Sequence, residues 1–212
     1  MSEAPVVLRD GSEVVIRPVR EADAVLLADG FARLSTESRH LRFLTAKPVL
    51  SEAELRYFTQ VDHHDHEALG AQDPTTGCGL GIARYVRDVD DPQAAEVAVT
   101  VTDDWQGKGL GTELLRRLTD RAREEGITRF TALAAAENSA VRPLLQGIGV
   151  ELQTANAGAG TVEYETELAP AGLGDTLTEL LRAAGRQQLP SPSGIKRVLT
   201  ALIPERFPAD GG

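Results

Sequence analysis

The sequence predicts a mixed α/β domain built on a mostly antiparallel central sheet with flanking helices, and three observations carry that reading. Runs with period-2 alternation recur along the chain, clearest in Glu96 to Thr102, where Val97, Val99 and Val101 alternate with other residues. Helical stripes lie between them: Leu110, Leu114, Leu115 and Leu118 recur at spacings of three and four, opposite Arg116, Arg117, Asp120 and Arg123. Turn signals such as Asp73-Pro74-Thr75-Thr76-Gly77 join neighbouring strand-like runs closely enough for hairpins. With 212 residues and 42% hydrophobic content, the chain can bury one good core, or a core plus a small appendage.

The elements follow in order. Glu21 to Arg33 reads as a helix with Ala24, Leu27, Ala28 and Phe31 on one stripe. Leu34 to Ser38 then supplies a turn and a new N-terminus for a second helical segment that reaches about Leu44. Ser51-Glu52-Ala53-Glu54 is a capping box opening a third segment through Gln60. Glu67 to Gln72 and Leu80 to Arg87 are hairpin strands, and the acidic loop Asp88 to Gln93 leads into the Glu96 strand. Arg129 to Ala134 reads as another strand. Glu151 to Thr154 and Val162 to Leu168 are closing strands, separated by a flexible Ala157-Gly158-Ala159-Gly160. Beyond residue 168, Leu173, Leu177, Leu180, Leu181 and Ala184 form one helical stripe. Ile195, Val198, Leu199, Leu202 and Ile203 form a second, after a Pro/Ser-rich break from Gln187 to Gly194. The chain therefore divides into a domain over residues 1–168 and a short helical C-terminal extension over 169–212.

Trp105-Gln106-Gly107-Lys108-Gly109-Leu110-Gly111-Thr112 is the stretch that carries chemistry. It places three alternating glycines where a strand ends and a helix begins. A helix start exposes free N–H groups and the positive end of the helix dipole, and glycines let a ligand approach the backbone, so an anion such as a pyrophosphate is the expected guest. The P-loop pattern is excluded because Lys108 is followed by glycine, and the dinucleotide fingerprint because Thr112 occupies its third glycine position.

What remains, Gln-x-x-Gly-x-Gly, resembles the acyl-CoA pyrophosphate loop of the GNAT superfamily of N-acetyltransferases. The resemblance continues through the Arg129 strand and Glu137-Asn138-Ser139 into Val141 to Gly149. It also takes in Leu8-Arg9-Asp10-Gly11-Ser12 with Val14-Val15-Ile16-Arg17-Pro18, which is similar to the N-terminal hairpin and first strand of domains close to bacterial protein lysine acetyltransferases. It implies a GNAT fold and acetyl transfer from acetyl-CoA, a co-substrate, to an amine by direct attack. In that frame Gln106, Gly107, Lys108, Gly109, Leu110, Gly111 and Thr112 hold the pyrophosphate. Strand groups of Val99, Thr100 and Val101 bond the pantetheine arm, one N–H polarising the thioester carbonyl, and Asn138 contacts the same arm.

An alkylammonium with pKa near 10 must lose a proton before it can attack, so a carboxylate is needed close by. Glu96, ten residues before Gln106 on the strand that runs into the loop, is the candidate base. Asp103 and Asp104 read as turn residues, since a neighbouring pyrophosphate would repel them. Leu145 stands where many members of the superfamily carry a tyrosine that protonates the leaving thiolate, and Tyr164 reads as a core aromatic.

A protein lysine is the leading acceptor, with a small-molecule amine as the enzyme alternative and a non-catalytic acyl-CoA sensor or interaction module as the alternative of another class. The net charge of −10 concentrates at −11 outside residues 171–212, which disfavours nucleic acid and anionic membranes as partners. The extension offers a surface for self-packing or for a homodimer. The chain has no apolar run of membrane-spanning length and no signal-peptide pattern, so a cytoplasmic location is expected. A single cysteine, Cys78, excludes an intrachain disulfide, and the acceptor attacks the thioester without a cysteine nucleophile. His63, His64 and His66 read as a solvated loop without metal, because neighbouring residues diverge.

Overall fold

A computed structural model of the chain describes residues 4–45 and 47–169. The two helices expected after residue 169 lie outside the described residues, as does any role for them in self-association. Among the described residues, eight strands form one sheet in the order β1-β2-β3-β4-β5-β6-β8-β7. They are β1 (Val6–Val7), β2 (Glu13–Pro18), β3 (His66–Gln72), β4 (Gly79–Arg87), β5 (Ala94–Val101), β6 (Arg129–Ala135), β7 (Gly149–Gly158) and β8 (Thr161–Leu168). Every neighbouring pair is antiparallel except β5 and β6. The helices are α1 (Ala24–Ala32), α2 (Thr36–Phe43), α3 (Glu52–Thr59), α4 (Leu110–Glu124) and α5 (Val141–Gln146). None of the described helices is long and apolar enough to cross a membrane.

Local sequence explains the helix starts. Ser51 accepts from the Glu54 N–H while the Glu54 carboxylate accepts from the Ser51 N–H, the reciprocal pair expected of a capping box. Ser35 caps α2 through the Ser38 N–H. The leucine stripe of α4 is buried as its periodicity requires: Leu110, Leu114, Leu115 and Leu118 are all at most 1% exposed. Each contributes about 1.5–3 kcal/mol of apolar burial.

Strand alternation sorts the sheet into two faces. Glu67 and Tyr85 are register partners facing α4, where Arg121 binds Glu67 at 3.3 Å and Tyr85 packs beside Phe130. The intervening Arg84 therefore faces the other way, onto the Tyr57 and Phe58 rings of α3. Glu96, Ala98 and Thr100 pair with Val86, Arg84 and Ile82 and share that second face.

The closing hairpin differs from its expectation. The closing strands are longer than predicted, and Ala157 to Gly160 is no flexible spacer: Gly158 pairs with Thr161, leaving a two-residue turn. Both turn residues, Ala159 (φ 49°) and Gly160 (φ 75°), are left-handed, the twist that a tight hairpin needs. In space β8 rather than β7 lies beside β6. The three histidines diverge, but His66 is no part of a solvated loop, because it begins β3 and packs inward. His63 Nδ1 meets Glu67 at 2.8 Å, His64 meets Glu125, and His66 turns inward with Nε2 buried and unpartnered. Among the described residues no group of three metal-ligating side chains converges.

Gly81 marks a close approach between β4 and β5. A Cβ there would sit 2.9 Å from the Thr100 carbonyl oxygen and 3.3 Å from Leu114. Gly81→Ala should lower stability by about 1–3 kcal/mol in urea unfolding; an unchanged midpoint would show that the two strands can spread freely.

Burial, reinforced by the Arg84 guanidinium, holds His66 down to about 4, against the pull of Asp62. A histidine depressed in the folded state contributes fully above its unfolded pKa near 6.5, and that contribution is lost as pH falls toward the folded value. Urea midpoints measured from pH 7 to pH 4.5 should therefore fall more steeply for the unmodified chain than for His66→Asn. The difference approaches one proton, or about 1.4 kcal/mol per pH unit. Parallel curves would remove His66 from the acid response.

Candidate active site

β5 and β6 pair over three residues only, Ala94 to Glu96 against Arg129 to Thr131, and then part. Each follows its other neighbour. Thr102 donates from both N and Oγ1 to the Leu80 carbonyl beside β4, at 2.9 and 3.1 Å, while Ala136 N bonds Gly160 O beside β8 at 2.8 Å. The gap between them is a cavity of about 440 Å³, within the range of ligand pockets. Val97, Val99, Thr100 and Val101 form one wall, Ala132, Leu133 and Ala134 the other, and Val141, Leu144 and Leu145 of α5 close part of it.

Glu96 stands where the two strands separate, exposed and lining the cavity. At the other end lies the loop from Gln106 into α4. Gly107 (φ 74°) and Gly109 (φ 93°) are left-handed, which accounts for glycine at both. Gly109 is the N-cap of α4 and offers no side-chain cap, so the N–H groups of Leu110, Gly111 and Thr112 have no intrahelical acceptor. Gln106, Gly107, Gly109, Leu110, Gly111, Thr112 and Asn138 all line the cavity. The predicted site residues are thus brought together, with one exception.

Lys108 does not line the cavity. Its ammonium lies over the Trp105 ring, 4.4 Å from the centroid, and 3.9 Å from Asp10. A cation that sequence reasoning missed takes the position instead. Arg9, from the turn after β1, lies across the loop, so that a Cβ on Gly109 would meet its Cγ and Cδ at 3.4 Å, and it lines the cavity. Its placement comes from the hairpin meeting α4 across some hundred residues, a contact with no local sequence signal.

Asp103 also has a role that its position in a turn did not suggest. Its carboxylate accepts from Ser35 N (2.9 Å), Ser35 Oγ (2.8 Å) and Ser38 Oγ (2.7 Å) at the start of α2. Partial burial pushes its pKa up, but these donors outweigh that and hold it below the usual carboxylate value. Gln106 completes the tie, donating from Nε2 to Ser38 Oγ and to Val101 O, each at 3.2 Å. The Gln106 side chain therefore fastens the loop to α2 and β5.

Two guanidiniums approach Glu96. Arg42 of α2 lines the cavity, and Arg84 stacks on Tyr57 (4.6 Å) and Phe58 (4.8 Å) from beneath. Burial, with Arg84 adding to it, pushes Arg42 down to about 10 against the attraction of Glu96, so it stays cationic at neutral pH. Burial also lowers Arg84, opposed by Tyr57 and Glu96. Leu145 and Tyr164 are both buried in the core, and Tyr164 is not among the cavity's lining residues. Cys78 is exposed at the start of β4, outside the cavity lining.

Comparison with known proteins agrees with this architecture. Residues 13–151 match the model of the acetyltransferase (GNAT) domain. The chain is 33% identical over 145 residues to "Acetyltransferase Pat" of Mycolicibacterium smegmatis, an alignment covering 68% of this chain and 43% of that protein. It is 37% identical over 144 residues to "Acetyltransferase PA5475" of Pseudomonas aeruginosa, covering 67% and 77%. The crystal structure of the GNAT domain of S. lividans PAT superposes with a TM-score of 0.71 at 32% identity, covering 78% of this chain and 97% of that one. The match thus spans less than half the length of the mycobacterial relative. The chain belongs to the GNAT acetyltransferase family.

Arg9 gives the loop a test. Arg9→Ala should weaken binding of acetyl-CoA about tenfold, or about 1.4 kcal/mol, with a smaller difference at high salt because the contact is a screened charge pair. Calorimetric titration at two ionic strengths measures both, and equal affinities would place the Arg9 guanidinium off the phosphates.

Proposed function

We propose that this GNAT family member transfers an acetyl group from acetyl-CoA to a primary amine, a protein lysine in the leading case, with Glu96 as general base. The observation that carries the reading is the arrangement along one cleft. An uncapped helix start with Arg9 stands at one end, a free strand edge from Val99 to Val101 runs along it, and a carboxylate stands at the other end.

The N–H groups of Gly107 and of Leu110 to Thr112, with the α4 dipole and Arg9, suit a pyrophosphate. Asn138 accepts from Ala140 N through Oδ1 at 3.3 Å, which leaves its amide NH₂ for the pantetheine arm. When bound, acetyl-CoA supplies the activated acyl group. Glu96 takes the ammonium proton, directly or through water, and frees the nitrogen lone pair for attack on the thioester carbonyl carbon. A backbone N–H of the Val99 to Val101 segment donates to the carbonyl oxygen as it gains charge. The new C–N bond forms as the C–S bond breaks, and the nitrogen's second proton leaves to solvent to give the neutral amide. Leu145 has no proton to give, so the thiolate is protonated from solvent.

A protein acceptor is favoured by the surface beside Glu96. Thr131 is the register partner of Glu96, and Glu165 of β8 pairs with Thr131 in turn. The same face of β8 and β7 carries Glu163, Glu167 and Glu151, all exposed. Leu133, half exposed, lies among them. An open acidic face next to the base suits a lysine presented on a cationic protein surface better than an enclosed small amine.

The test is a calorimetric titration with acetyl-CoA, followed by turnover of a basic lysine peptide by the unmodified chain and by Glu96→Gln. The expected result is one site per chain at micromolar affinity, retained in Glu96→Gln, with kcat/KM for the peptide down by about 10²- to 10⁴-fold. No binding would overturn the reading. Binding without turnover of any amine would make the domain an acyl-CoA sensor.

A further inference from the structure

The cleft opens sideways at Thr100 and Arg42. Thr100 and Arg42 line both the cleft and a second, smaller cavity of about 90 Å³ between the sheet and α1 to α3. Its walls are largely apolar, with Leu27, Phe31, Phe43, Phe58 and Ile82 among them, and it has room for several water-sized groups. The charges on its rim do not balance. Arg17 is there, but Asp23 neutralises it through two contacts of 2.7 Å. Arg42 and Arg84 remain, and among the described residues neither has a carboxylate within ion-pair distance. They share the field of Glu96, which lines only the larger cavity.

Two guanidiniums that share one carboxylate, itself outside this cavity, leave a net positive charge facing a partly dry space that a further anion would neutralise. A carboxylate suits them, because planar guanidiniums bind it through paired hydrogen bonds. We propose that Arg42, at the junction of the two cavities, and Arg84, in the smaller one, form a carboxylate-binding subsite. The carboxylate belongs either to the far end of the transferred acyl group, making it a short dicarboxylic acyl, or to the acceptor. The inference rests on the reading that the larger cavity takes a CoA thioester. The acidic face beside Glu96 repels an anionic acceptor, which favours the acyl group as the source.

The experiment compares kcat/KM ratios within each variant, so that a general loss of activity cancels. With a fixed lysine peptide, succinyl-CoA should outperform butyryl-CoA, of similar chain length but without the charge, by about tenfold or more. The ratio should collapse toward one in Arg42→Gln and in Arg84→Gln, and partly survive in Arg42→Lys. If Arg84→Gln fails to fold, the two Arg42 variants still decide the matter, because Arg42 is only partly buried. If the succinyl and butyryl thioesters are equal, free lysine is compared with lysine amide as acceptor. A preference for the free carboxylate that collapses in the same variants supports the subsite with the acceptor as source. Acetyl-CoA binding with neither preference, or preferences that persist without the arginines, overturns the subsite. Failure of every thioester to bind overturns the acyltransferase reading, and the subsite with it.

Discussion

The parting of β5 from β6 is the constraint on which the rest of the structure depends. After three paired residues each strand keeps its hydrogen bonds on one side only, leaving two unpaired edges inside an eight-stranded sheet. Backbone N–H and C=O groups need partners wherever water is limited, so such a gap is stable only if water or a ligand enters it. The bonds that hold it open are ordinary ladder extensions, Thr102 to Leu80 on one side and Ala136 to Gly160 on the other. Because β5 leads directly through Asp103–Trp105 into α4, the same gap receives a helix N-terminus at its mouth.

The loop at that mouth is held from behind by side chains. Asp103 and Gln106 both bond to α2, at Ser35 and Ser38. Both Asp103 oxygens and the Gln106 amide nitrogen are engaged by protein, while the loop's backbone amides and Arg9 stay at the cavity. The tie has a second consequence, since fixing the start of α2 against the loop also fixes the helix that carries Arg42 at the cleft. A single acidic residue thereby links the geometry of the glycine loop to that of the helix carrying Arg42.

Much of this was legible in the sequence, for identifiable reasons. Strand alternation around Val97, Val99 and Val101 and the α4 leucine stripe report burial directly, and the Ser51/Glu54 capping box is a local pattern with a local cause. The glycine loop was legible because left-handed positions at 107 and 109 exclude most other residues. What escaped was long range. Arg9 over Gly109, Asp103 on α2, and Arg42 beside Arg84 join segments that only the finished topology brings together, and their residue types are ordinary surface types. Lys108 misled because its position within the motif suggested a phosphate, whereas an aromatic ring three residues earlier offers it a cation–π contact. The turn at Ala159-Gly160 was hidden because small residues suit both a flexible spacer and a tight hairpin.

Charge is the point at which fold and chemistry meet. A chain of net charge −10 carries its charges unevenly around the cleft. Of the described residues lining the larger cavity only Arg9, Arg42 and Glu96 are charged, so the cleft itself is cationic apart from Glu96. The acids gather instead on the outer face of β8 and β7. Strand alternation produces this separation without any special device: the register that turns Tyr164, Thr166 and Leu168 into the core turns Glu163, Glu165 and Glu167 outward. Glu96 obeys the same alternation on β5, lying between buried Ala95 and Val97, and it is the acid that this rule places where the strands part. The period-2 pattern that builds the sheet therefore also determines which carboxylate stands in the cleft.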